Sequence, residues 1–231
     1  MRYICFMTFG EKVIAFNKSL DLTAKLPKGV VAMNPFQNDY ALSLCQKFYT
    51  QYYNDTNERN IILGINPGRL GGGLTGIPFT DPVKLEKFCA ITNTLVKKTE
   101  LSADYIYLMI EAFGGIEKFY HQFYFNSICP LGFTKDGKNL NYYDIKELQD
   151  AVKDFMLNSL KKQINFGINT EVAYCLGEGE NFKFISRLNE EHHFFKKIVP
   201  LAHPRFIMQY KRKKVNEYIE DYLQKFGMTQ T

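Results

Sequence analysis

IILGINPGRLGGGLTGIPFTDP, residues 61–82, sets a buried strand directly against a loop with five glycines between positions 68 and 76. The strand expected at 60–65 carries a run of apolar side chains, the pattern of a strand covered on both faces of a parallel sheet. Asn66-Pro67-Gly68 turns the chain, and Pro78-Phe79 closes the loop on a large ring. Asp81 and Pro82 then pair a cap with a proline at the first helical position, and the helix they start is expected to continue through VKLEKFCAITNTL.

Outward from this unit, strands and helices alternate. A helix is expected over 41–54, another over 103–113 stopped by Gly114-Gly115, and a long amphipathic one over 144–164. Strands are expected at 122–129, at 171–177 and at 193–204, with the helix NFKFISRLN after the third and QYKRKKVNEYIEDYLQKF closing the chain. This alternation predicts a three-layer α/β/α fold around a central, mostly parallel sheet of four strands. No repeat, low-complexity tract or Pro/Ser-rich linker divides the chain. Residues 1–231 therefore read as one domain, with 1–59 as its helical and extended N-terminal portion.

Composition narrows the class. Apolar residues make up 45% and aromatics 15% of the 231 residues, enough for a core and unlike a disordered chain. No segment approaches the ~18 uninterrupted apolar residues of a membrane span, and the N-terminus lacks the pattern of a secretory signal. A cytoplasmic protein with no membrane partner is expected. The five cysteines, Cys5, Cys45, Cys89, Cys129 and Cys175, stand at least 40 residues apart, which suits small hydrophobes and no metal ligand set. The net charge of +5 permits a polyanionic partner without requiring one.

Ligands in folds of this class sit at the carboxyl ends of the strands. Three of those ends carry unusual chemistry: Asn66 with the glycine loop, Asn126 ahead of Cys129-Pro130, and His203-Pro204-Arg205. If they share one rim, two amides, an imidazole and the ring of Phe79 converge on one pocket. Each alone has an ordinary explanation, since Asn satisfies turns, His203 suits a structural hydrogen bond and Phe79 suits a core. The alternative for the loop is the phosphate-binding turn of a nucleotide protein, against which it lacks the Gly-Lys-Ser/Thr ending of a P-loop and matches no dinucleotide fingerprint.

GINPGRLGGGLTGIPF resembles the first catalytic motif of the uracil-DNA glycosylase superfamily, and most of all its single-strand-selective monofunctional branch, whose motif runs Gly-Met-Asn-Pro-Gly through to Gly-Val-Pro-Phe. FNSICPLGF is similar to that branch's central motif, AHPR to its histidine motif, and ELSADYIY and GGIEKFYHQF to the segments between them. The similarity spans about residues 60–215. The C-terminal motif lacks the longer Ser-Pro-Arg insertion of that branch, as a bacterial offshoot would.

The resemblance implies a uracil-DNA glycosylase-like fold and a monofunctional enzyme of base excision repair, a hydrolase needing no cofactor and no metal. It would act as a monomer on single-stranded or duplex DNA that holds uracil or deaminated bases. Removing a base requires flipping it from the stack. By residue-wise carry-over, Phe79 would stack on the base, Asn126 would read its edge, and Gly64, Ile65 and Gly68 would complete the base pocket. His203 would stabilise the leaving base and Asn66 would position the attacking water. No lysine lies in the matching motifs, so no Schiff base is expected. Gly68 stands where other branches place a bulky aromatic ring, an opening that would admit 5-substituted uracils or xanthine.

Glycines let backbone approach a deoxyribose phosphate and offer free N–H groups. Arg69, Gly71, Gly72 and Gly73 are accordingly assigned to DNA contact. So are Arg205, Phe206, Ile207, Met208, Lys211 and Arg212, as phosphate partners and a wedge for the gap left by the base. The alternative for the last segment is a solvated helix start with its apolar face in the core. Two other functions stay open: a lesion-binding module without catalysis on the same fold, and a soluble nucleotide-binding protein.

Overall fold

The computed structural model describes residues 6–228. It begins with α1 (Phe9–Lys18), started by a capping box in which Thr8 Oγ1 accepts from Glu11 N–H while the Glu11 carboxylate accepts from Thr8 N–H. Next come β1 (Val30–Met33), α2 (Asp39–Tyr52), capped by the Asn38 side chain, and β2 (Asn60–Gly64). The glycine loop contains one helical turn, α3 (Gly72–Thr75), before α4 (Pro82–Lys87) starts with Asp81 Oδ1 accepting from Val83 N–H and Lys84 N–H.

This helix stops at Lys87, well short of the expected Leu95. Ala90 takes the left-handed conformation with φ 55°, and Asn93 uses its side chain to bond Pro82 O and Leu95 N–H. Ile91, Thr92 and Thr94 add β-branched residues that favour a helix weakly. The chain continues through α5 (Leu101–Phe113), α6 (Ile116–Gln122), β3 (Phe123–Ser127), β4 (Gly132–Lys135), β5 (Lys138–Leu140) and α7 (Lys146–Ile164). It ends with β6 (Val172–Leu176), α8 (Glu180–His192), β7 (Lys197–Leu201), α9 (Pro204–Tyr210) and α10 (Val215–Lys225).

The main sheet is four-stranded and wholly parallel, in the order β3-β2-β6-β7. Tyr124 on β3 meets Phe9 of α1 at 5.2 Å and Tyr49 of α2 at 6.4 Å between ring centroids. On the opposite face, Phe123 meets Phe113 of α5 at 5.5 Å and Phe226, just after α10, at 4.6 Å. Helices therefore cover both faces, as the alternation of elements required.

A second sheet was not foreseen. β4 and β5 form a hairpin across Asp136-Gly137, both at positive φ, and β1 joins them antiparallel in the order β1-β4-β5. The last expected strand is also shorter: His193, at φ 53°, caps α8, and β7 begins only at Lys197. The single closing helix of the sequence reading is two, α9 and α10, separated by a turn of 3₁₀ helix at Arg212–Lys214.

At the amino end of β2 the core contains a charge. Arg59 is buried beneath the rings of Phe9 and Tyr53, each 4.7 Å from the guanidinium. It donates two bonds of 2.8 Å to the Asp55 carboxylate and further bonds to Tyr120 O and Asn57 O. Of the cysteines, Cys45, Cys89, Cys129 and Cys175 are buried and free, and Cys5 lies outside the described residues. Among the described residues no helix is long and apolar enough to cross a membrane.

Candidate active site

A cavity of about 310 Å³ opens at the carboxyl ends of β2, β3 and β7. Asn66, Phe79 and His203 all line it, with Ile65, Gly68 and Gly72 from the glycine loop and Arg205 and Phe206 from α9. Local sequence fixes each of the first three.

Asn66 follows β2, and its amide is clamped by backbone: Nδ2 donates to Leu140 O at 3.1 Å and Oδ1 accepts from Tyr142 N–H at 3.0 Å. One N–H and one lone pair of that amide remain for a ligand. Phe79 is held at φ 54°, a left-handed conformation unusual for an aromatic residue, and its ring lies 5.3 Å from that of Phe125. A Cβ on Gly64 would stand 2.9 Å from the edge of the Phe79 ring, so the glycine at 64 makes room for it.

His203 ends the β7 connection and caps α9. Its Nδ1 accepts from Arg205 N–H at 3.2 Å, which leaves the ring proton on Nε2. Burial, assisted by the positive charge of Arg205, lowers its pKa to about 4, so near pH 7 the ring is a neutral hydrogen-bond donor. From behind, the Tyr222 hydroxyl of α10 donates to Ala202 O at 2.5 Å and ties this strand end to the last helix.

Asn126 does not join this cavity. Side chains alternate along β3, so Asn126 points with Tyr124 to the face opposite Phe125 and Ser127. Its Nδ2 donates to Tyr124 Oη at 2.6 Å, and its Oδ1 accepts from Ser127 N–H at 2.7 Å. It borders a separate crevice of about 10 Å³, and Pro67, Gly72 and Pro78 line both spaces as the partition. Ser127, which the sequence reading passed over, lines the main cavity instead.

Two further assignments change. Ile207 and Met208 are buried in the core, because α9 turns that side toward α5, so neither presents a surface to DNA. Phe206 and Tyr210 are the exposed rings of this helix, 5.8 Å apart, while Arg69, Arg205, Lys211 and Arg212 lie at the surface. The glycine loop also offers less free backbone than expected. Gly71 N–H and Gly73 N–H both donate to Gly68 O, and a Cβ on Gly73 would stand 2.7 Å from that oxygen. These glycines let the loop close on itself.

Nor is the space over Gly68 empty. A Cβ there would stand 2.5 Å from Glu100 Oε1, and one on Gly71 would meet Glu100 Oε2. Glu100 lines the cavity, and its carboxyl is raised to about 7, chiefly by burial and then by Asp81. Nothing local in the sequence marks it; only the unexplained pair of glycines calls for a bulky neighbour. Among the described residues no group of three or more His, Cys, Asp or Glu side chains could hold a metal ion.

The model of the uracil DNA glycosylase superfamily matches residues 50–227, a span that includes every wall of this cavity. The chain belongs to that superfamily. Its fold closely follows the crystal structure of wild-type SMUG2 from Pedobacter heparinus, with a TM-score of 0.94 and 49% sequence identity over 96% of this chain and 98% of the other. No curated protein sequence is significantly similar. Membership makes the protein a DNA glycosylase of the uracil-DNA glycosylase type.

Proposed function

We propose that this glycosylase is monofunctional: it takes an extruded uracil, or a related deaminated or 5-modified base, into the cavity and hydrolyses its N-glycosidic bond. The observation that carries this reading is the neutral His203, its Nε2–H available at a cavity that it shares with the clamped amide of Asn66. As the bond breaks, the electron pair leaves with the base, and a fixed N–H donor stabilises the charge on its keto oxygen. A neutral imidazole serves this purpose as a hydrogen-bond donor without giving up its proton.

The sugar becomes an oxocarbenium-like cation that water attacks. Asn66 orients that water through the N–H and lone pair that the backbone leaves free, which makes its contribution one of alignment. Phe79 provides the stacking face, typically worth ~1–3 kcal/mol per base. Asn126 reads the base only if its bond to Tyr124 and the Pro67-Gly72-Pro78 partition both give way. Arg205 and the exposed Lys211 and Arg212 neutralise phosphates, and Phe206 or Tyr210 fills the gap in the stack. The enzyme is proposed to work as a monomer, on single-stranded or duplex DNA.

Oligonucleotides with one uracil, incubated in EDTA and then treated with alkali, test this reading. The wild type is expected to leave alkali-labile abasic sites, and His203→Ala and Asn66→Ala are each expected to lower the single-turnover rate roughly 10²–10³-fold. Strand cleavage without alkali, or full activity in both variants, would refute it. Asn126→Ala relaxes discrimination against cytosine if the amide leaves Tyr124 to read the base, and leaves it unchanged if the amide only braces β3.

A further inference from the structure

Glu100 is the only carboxyl among the residues that line the cavity. Its two oxygens lie over two different glycines, Oε1 over Gly68 and Oε2 over Gly71, so the loop and the side chain form one wall. Its backbone N–H is held by Asp81 Oδ2 at 2.9 Å, which fixes the start of α5 and the direction from which the side chain arrives. Lys84, the nearest buried cation, is already committed to Asp81 and Asp104. Among the described residues neither Glu100 oxygen takes part in an ion pair or a hydrogen bond. The partnerless side-chain atoms sealed away from solvent are Tyr105 Oη and Gln163 Oε1, so the Glu100 carboxyl keeps its access to the cavity.

We propose that Glu100 is a specificity-determining residue: its carboxyl accepts a hydrogen bond from an O–H or N–H donor carried by the extruded base at the wall over Gly68 and Gly71, and turns away a methyl group in the same place. The inference rests on the glycosylase reading above. A carboxyl that has lost part of its water and has no protein donor gains most from a donor on the ligand. An aliphatic group there would displace the remaining water and supply nothing in return. Sites built to hydrogen-bond a substrate group reject the analogue that lacks it more sharply than apolar pockets reject an extra methyl.

The charges that face Glu100 are Asp81 and Asp104, which favour its protonated form, and Arg205 and Lys84, which favour the ionised one. His203, on the same cavity, titrates far lower and keeps one charge state between pH 6 and 8. The Glu100 carboxyl, by contrast, ionises within that window and becomes the stronger acceptor as it does so.

Uracil, 5-hydroxymethyluracil and thymine, each placed singly in one oligonucleotide sequence, are the probes. They differ at one ring position by hydrogen, a hydroxyl donor and a methyl group. Single-turnover excision rates in EDTA are compared for the wild type, Glu100→Gln and Glu100→Ala, with thermal melts to confirm that each is folded. The wild-type ratio of hydroxymethyluracil to thymine excision is expected to fall about tenfold or more in Glu100→Ala and to be largely kept in Glu100→Gln, whose amide oxygen still accepts. The wild-type ratio is expected to rise from pH 6 to 8, and to stay flat in Glu100→Gln.

An unchanged ratio in Glu100→Ala would overturn the proposal, as would a pH dependence that survives in Glu100→Gln. Uracil release with no release of either substituted base in any of the three proteins would overturn it too. A wild type that releases none of the three bases would instead bring down the glycosylase reading itself.

Discussion

The two ends of β2 handle buried charge in opposite ways. At the amino end, Arg59 is closed off by Phe9 and Tyr53, and its guanidinium makes four hydrogen bonds, two of them to Asp55. Beyond the carboxyl end, the Glu100 carboxyl lies over the glycine loop with no hydrogen-bond or ion-pair partner among the described residues, and the neutral imidazole of His203 lines the same cavity. One end pairs the charge it buries and so supports the fold. The other leaves polar groups unsatisfied, which is what a ligand can use. Stability and reactivity thus occupy opposite ends of one five-residue strand.

The largest test of this contrast is Arg59→Met. It leaves Tyr120 O unpaired in the core and the partly exposed Asp55 carboxylate without its donor, and a buried acceptor left unpaired typically costs about 1–3 kcal/mol. Chemical denaturation is expected to show that loss, while the excision rate per folded molecule stays at the wild-type level. A comparable loss of rate would mean that the two ends are mechanically coupled.

A smaller effect should appear in the pH dependence of stability. Burial and the nearby Asp81 raise the Glu100 carboxyl to about 7, above the ordinary glutamate value of 4.5, so the folded protein holds this proton more tightly than the unfolded chain. The stability this confers is full below about pH 4.5 and is lost as pH rises through about 7. Glu100→Gln cannot lose it. The variant is therefore expected to melt a few °C above the wild type at pH 8, with the gap closing toward pH 4.5. A constant gap across that range would show that the Glu100 carboxyl is not the titrating group.

The smallest effect concerns the rim. Lys211, Arg212, Lys213 and Lys214 are all exposed, and of these only Lys214 is paired, with Glu217. Neutralising them is expected to leave the melting temperature unchanged and to weaken DNA binding uniformly across sequences. The slope of log affinity against log salt should fall by roughly one for each phosphate contact removed. An unchanged slope would move the DNA path off this segment.

Much of this architecture was legible in the chain. The strands of the main sheet are apolar runs, and Asp81-Pro82 marks a helix start that the structure keeps. The small sheet was harder to read, because Thr134-Lys135-Asp136-Gly137-Lys138 looks like a polar loop until the Asp-Gly turn is taken as a hairpin signal. Ile207 and Met208 illustrate a different limit. Their burial follows from which side of α9 meets α5, a fact of packing rather than of composition.

Within the site, Asn66, Phe79 and His203 were readable because each stands at a strand end or closes the loop that follows one. Asn126 was readable as a residue but not as a direction, since one step along β3 decides which face a side chain joins. Glu100 was out of reach for the opposite reason. It comes from a separate helix start and acquires its meaning only from the two glycines it covers.

The hydrogen bond from Tyr222 to Ala202 O has a consequence for how the molecule can be damaged. Through it, α10 braces the residue immediately before His203, although no atom of α10 lines the cavity. A protease that trims the chain back into α10 removes this brace without reaching the cavity, and a lower excision rate is the expected result. The activity of a preparation is then also a gauge of whether its tail is whole.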